Sequence, residues 1–193
     1  MVLVGALQQH YDLARYYLAG GMFVAIAEDH TKTHGRTLAE ALLKCGHVEK
    51  FFVEYFGQSF ADNAAIGSLN YCADEEDFDG IKRLRDDEHI FSSLKTNHAR
   101  PTIKDLAFLA AERGIEVIAA DPKISQKTLT DTIERDQAAA EMIAENYSAR
   151  VGRGCLMLWG QDHLRIENGI HKMLMRSEKV PGMVVHLFDV ADL

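Results

Sequence analysis

A set of polar side chains stands where apolar runs stop. Glu28 and His30 follow MFVAIA, Glu54 closes FFVE, and Asp121 follows EVIAA. Gln161, Asp162 and His163 follow CLMLWG. Two histidines and several carboxylates gathered on one rim would form an acid/base site or a metal site. Glu28-x-His30 puts a carboxylate and an imidazole on the same side of an extended backbone. There the acid can orient the ring, raise its basicity or share a metal with it. Each position also has a plainer reading. Polar residues often end strands, Asp121-Pro122 is ordinary turn chemistry, and Asp162 can cap a helix. Arg135-Asp136, inside TLTDTIERDQAAAEMI, can sit on a solvated helix face. Glu54 resists this treatment, because a carboxylate among apolar residues needs a partner or a crevice. With Glu54 and His163 on the same rim, the functional reading of Glu28 and His30 takes precedence. A guanidinium at Arg135 that reached the crevice would hold an oxyanion or clamp the carboxylates. His34 is the weaker histidine of the first loop.

For these residues to meet, the apolar runs must be strands of one sheet. Runs of this length followed by turn residues have the pattern of buried parallel strands. The expected strands are Met22 to Ala27, Val48 to Tyr55, Glu116 to Ala120, Cys155 to Trp159 and Met183 to Val190. Between them, helical periodicity covers Ala6 to Leu18, Arg36 to Cys45, Ser59 to Cys72, Ile81 to Leu94, Thr102 to Arg113, Leu129 to Ala149 and Asn168 to Met175. Strands alternating with helices predict an α/β fold with a mainly parallel sheet of about five strands. In such sheets ligands bind outside the carboxyl ends of the strands, where the polar set lies. The segment from Gln58 to Ala99 is expected to be a helical insertion over that edge.

A chain of 193 residues is long enough for one domain with a real core, and a single domain over 1–193 is expected. A net charge of −8 argues against nucleic-acid binding through a general basic surface. Cys45, Cys72 and Cys155 form no C-x-x-C pair, which removes a zinc ribbon or a thioredoxin motif. No apolar run reaches the ~18 residues of a membrane span. No basic n-region with a long apolar stretch opens the chain. Those features predict a cytoplasmic protein, or an effector delivered without a signal peptide of that type. G-x-S-x-G, the Walker A lysine motif and H-E-x-x-H are all missing.

The ordered blocks AEDH, VEYF, IAAD, ERDQAAAEMIAE and WGQDHL resemble the EreA/ChaN-like superfamily. That group includes erythromycin esterases, ChaN haem-uptake proteins, TraB/TIKI proteins and toxin domains such as a Ras-cleaving endopeptidase. The resemblance spans about Gly21 to Leu174. It implies Glu28, His30, Glu54, Arg135 and His163 as active-site residues, with Asp121, Gln161 and Asp162 at the substrate. It further implies a hydrolase of ester, lactone or peptide bonds, acting on a small ester or on a protein, including a host protein. The Glu-x-His form is closer to the esterase and toxin-like members than to Thr-x-His TraB proteins, so no metal ligand and no cofactor are expected. The alternatives are a metal-dependent protease of TIKI type, or a haem or metal binder using His or Tyr ligands such as Tyr55.

Overall fold

The computed structural model describes residues 3–54, 60–87, 89–91, 100–122, 129–148, 150–165, 169–180, 183–190 and 193. Tyr55 lies outside them. The strands are β1 (Phe23–Glu28), β2 (Val48–Val53), β3 (Glu116–Ala119), β4 (Gly154–Gly160) and β5 (Val185–Asp189). They form one sheet in the order β3-β2-β4-β1-β5, and every pairing is parallel. The helices are α1 (Ala6–Ala19), α2 (His34–Leu43), α3 (Phe60–Asp74), α4 (Phe78–Asp86), α5 (Ile103–Glu112), α6 (Leu129–Asn146), α7 (Gln161–Arg165) and α8 (Ile170–Met175). The expected α/β architecture is therefore the one observed.

Alternation along the strands divides the core into two layers. Val24, Ile26, Phe51, Val53, Leu156 and Leu158 pack with α2 and α5 residues such as Leu38, Leu42 and Phe108. Phe23, Ala25, Ala27, Phe52, Met157 and Trp159 pack with Ala139, Ala140 and Ile143 of α6 and Leu174 of α8. All six residues of β1 and all seven of β4 are buried. Covered on both faces, these strands show continuous apolar runs rather than alternation. That is why the runs were visible in the sequence.

Three elements depart from expectation. α4 begins at Phe78, inside the stretch ADEEDFDG, because Asp77 accepts from the Gly80 N–H at 2.8 Å and caps it. It ends at Asp86, since Asp87 is extended. Gln161 to Arg165 forms an extra short helix directly after β4. The described part of the 58–99 segment lies along the edge of the sheet. There the Asn70 carboxamide donates to the Val117 carbonyl at 2.8 Å and accepts its N–H at 2.9 Å. Asn70 thereby satisfies backbone groups on edge strand β3, and α4 packs against α3 and α5. None of the described residues of this segment lines the cleft at the strand ends.

Candidate active site

Glu28 is the last residue of β1 and sits in register with Gly160, the last residue of β4. It shares the face of Val24 and Ile26, the face covered by α2. There it meets Arg36, whose Nε lies 3.3 Å from Oε2. Both side chains are buried. The approach depends on Gly35, since a Cβ there would lie 2.5 Å from the Glu28 Cβ. Arg36 is a site residue the sequence did not reveal, because in the first turn of a helix arginine is an ordinary helix former. Two residues beyond Glu28 the chain turns, and His30 Nδ1 returns to Glu28 Oε1 at 2.8 Å.

Glu54 follows β2 and has the opposite parity, so it meets the other layer. It is 2% exposed. Its Oε1 accepts from Arg135 Nη2 at 3.0 Å and its Oε2 from the Gly160 backbone N–H at 2.7 Å. His30 Nε2 stands 3.4 Å from the same Oε2. His30 thus lies between two carboxylates. Burial pulls its pKa down, but the hydrogen bonds and charges of Glu28 and Glu54 outweigh this and raise it to about 9. At neutral pH the ring is an imidazolium with both N–H groups facing acids. Its folded pKa exceeds the ordinary 6.5. It therefore stabilises the fold fully below pH 6.5, and that contribution is lost as pH rises through about 9.

Arg135 belongs to α6, on the inward stripe with Asp136, Ala139, Ala140 and Ile143. The solvated-face reading of this pair is replaced by full burial. Arg135 takes Asp121 in two-pronged fashion, Nε to Oδ1 at 2.6 Å and Nη2 to Oδ2 at 2.7 Å. Such paired contacts are the strong form of the arginine–carboxylate bond. Asp121 is wholly buried and is the counter-ion of Arg135. It does not line the cleft, so its expected place at the substrate is corrected. With two further N–H groups committed to Glu54 and His163, Arg135 clamps the site's residues together.

His163 sits in α7. Its Nδ1 is 2.6 Å from Asp136 Oδ1, and its Nε2 is 3.1 Å from Arg135 Nη1 and 3.9 Å from Glu54 Oε1. A guanidinium only donates, so its contact with Nε2 fits the neutral tautomer: Nδ1–H donates to Asp136 and Nε2 keeps its lone pair. Burial lowers the pKa of His163, and Arg135 lowers it further. The Asp136 hydrogen bond and the charges of Asp136 and Glu54 prevail and leave it above the ordinary histidine value. Protonation would turn Nε2 from Arg135 toward Glu54. Asp136, 1% exposed, is the second site residue missed in the sequence. Its signal was its place beside Arg135 on the α6 stripe.

These side chains border an open cleft of about 360 Å³, with Gly160, Gln161 and Asp162 also on its wall. Gln161 is half-buried and Asp162 exposed. His34, at the start of α2, does not line it. Among the described residues no group of three or more His, Cys, Asp or Glu is arranged to hold a metal ion. The carboxylates here are matched to Arg36, His30 and Arg135 instead.

Glu54 faces two cations, and these hold its carboxyl below the usual range against the upward pull of burial. It therefore stabilises the fold above its ordinary pKa of 4.5, and the contribution fades as pH falls through its lower folded value. Glu54→Gln is expected to cost about 1.5–3 kcal/mol at pH 7, the range for hydrogen bonds to charged groups. The gap from wild type should shrink in acid. Urea midpoints at both pH values measure it, and an equal gap at both would refute the ionic role.

No helix among the described residues is long and apolar enough to cross a membrane. Set against family models, curated proteins and solved structures, the chain matches none.

Proposed function

We propose that the chain is a hydrolase of ester, lactone or peptide bonds, in which two histidines of opposite protonation state divide the acid and base roles. The observation that carries this reading is the pair itself. His163 is held by Asp136 at Nδ1 and by Arg135 at Nε2 on the cleft wall, while His30 is an imidazolium between Glu28 and Glu54. Titratable groups whose environments separate their roles are the pattern of acid–base catalysis.

In the proposed reaction, Arg135 Nη1 leaves His163 Nε2, which takes a proton from water as the water oxygen bonds to the carbonyl carbon. The carbonyl π pair moves to oxygen, and the N–H groups of Arg135 Nη1 stabilise that charge. When the intermediate collapses, the C–O or C–N bond breaks, and His30 Nε2 gives its proton to the leaving oxygen or nitrogen. His163 is then protonated and His30 neutral. Glu54 faces Nε2 of both rings, at 3.9 and 3.4 Å, and is placed to return the proton from one to the other. Arg36, Asp121 and Asp136 position the reacting groups. The metal-dependent protease and haem-binder readings have no comparable observation in their favour.

The test is hydrolysis of a panel of activated esters, lactones and peptides across pH. The expected kcat/KM profile is a bell. Its acid limb follows deprotonation of His163, above the ordinary 6.5, and its alkaline limb falls near pH 9 with His30. Activity that holds level through pH 10 would remove His30 as the acid. No turnover on any of the three classes would remove the hydrolase reading for them.

A further inference from the structure

Gly160 occupies the narrowest point of the site. It ends β4, the strand between β2 and β1, so its backbone passes between Glu54 and Glu28. A Cβ built on it would fall 2.7 Å from His30 Nε2 and 3.2 Å from Glu54 Oε2. The first distance is closer than real Cβ atoms come. The backbone does not require glycine there, since Gly160 is not among the residues with positive φ. Its N–H donates to Glu54 Oε2 at 2.7 Å, and alanine would retain that bond. What glycine supplies is space, at the contact between His30 and Glu54.

We propose that Gly160 is a positioning residue: the absence of its side chain lets His30 share Glu54 while its N–H holds that carboxylate in place. A methyl group there would push the ring away from Glu54 while its contact with Glu28 stays. Among the described residues, the titratable groups facing His30 include Glu28 from β1, Asp29 from its own loop and Glu54 from the end of β2. Arg36 of α2, Arg135 of α6 and His163 of α7 stand behind those carboxylates. The space beside the Gly160 Cα is bounded by His30 Nε2 and Glu54 Oε2, the two atoms of that contact. Gly35 differs, because a Cβ there would strike the Cβ of Glu28, next to the backbone. Relief at Gly35 needs movement of α2, whereas relief at Gly160 needs only a turn of an imidazole that is 30% exposed. The proposal rests on His30 as the acid of the proposed hydrolase for its consequence in catalysis, but not for its geometry.

The experiment is NMR titration of the histidine rings in the full chain, wild type against Gly160→Ala, alongside the pH–rate profile. In the variant the His30 midpoint is expected to fall from about 9 by about one pH unit or more, the usual effect of one nearby opposite charge. The His163 midpoint should move less, since its Asp136 bond is untouched. A folded variant with an unchanged His30 midpoint overturns the proposal. If the midpoint falls but the alkaline limb of the rate profile stays put, Gly160 positions His30 and His30 is not the acid. That outcome upholds the positioning role and rejects the catalytic reading. Should Gly160→Ala fail to fold, the double variant Gly160→Ala/His30→Ala decides. Removing the ring removes the atom that the methyl group meets, so the double variant should fold. If it too fails to fold, glycine is needed for another reason and the proposal is wrong.

Discussion

Replacing Arg135 by methionine is expected to cost the fold on the order of 3–5 kcal/mol, the usual penalty for breaking a buried ion pair from one side. Arg135 is the guanidinium bonded to both Asp121 and Glu54, which are 0% and 2% exposed. Methionine fits the volume, but it leaves two buried carboxylates facing each other's charge with less compensation. The loss would be a large share of the ~5–15 kcal/mol stability of a typical domain. Arg135→Lys should restore only part of it, because an ammonium cannot hold Asp121 in two-pronged fashion. The triple variant Arg135→Met/Asp121→Asn/Glu54→Gln should recover much of the loss, since the stranded charges are gone. Urea unfolding at pH 7 measures all three. A single variant within about 1 kcal/mol of wild type, the scale of an exposed pair, would show that Arg135 is not the clamp described above.

The second large effect is on catalysis. His163→Asn is expected to lower kcat/KM by about 10²–10⁴, the usual contribution of a general base. Asparagine can still present an N–H to Asp136, so that buried carboxylate keeps a partner while the titrating Nε2 disappears. Alanine is the poorer probe, because it would strand Asp136 and mix a folding loss into the rate. The acid limb of the pH profile should vanish in His163→Asn, and the alkaline limb near pH 9 should remain. Thermal melts establish that the variant is folded. A folded His163→Asn with wild-type rate on a substrate the wild type cleaves would assign the base to another group.

Much of this arrangement was legible in the sequence, for a physical reason. β1 and β4 are buried on both faces, so their runs are uninterrupted, and a polar residue after such a run has few places to be except a strand end. Glu28, His30, Glu54 and His163 were found that way, and all four border the cleft. Helix boundaries were less legible where a side-chain cap decided them, as Asp77 does for α4.

What local pattern could not carry is the order of the strands. Periodicity reports which face of an element is apolar, not which element lies beside it. Only the tertiary structure inserts β4 between β2 and β1, and this sets Gly160 between the carboxylates and His163 near Glu54. Tertiary packing likewise decided that Arg36 belongs to Glu28, that Asp121 is a buried counter-ion, and that Asp136 holds His163. By sequence these were a helix former, a turn residue and a solvated helix position. Each changed meaning because a buried charge is defined by its partner, and the partners lie 8, 14 and 27 residues away along the chain.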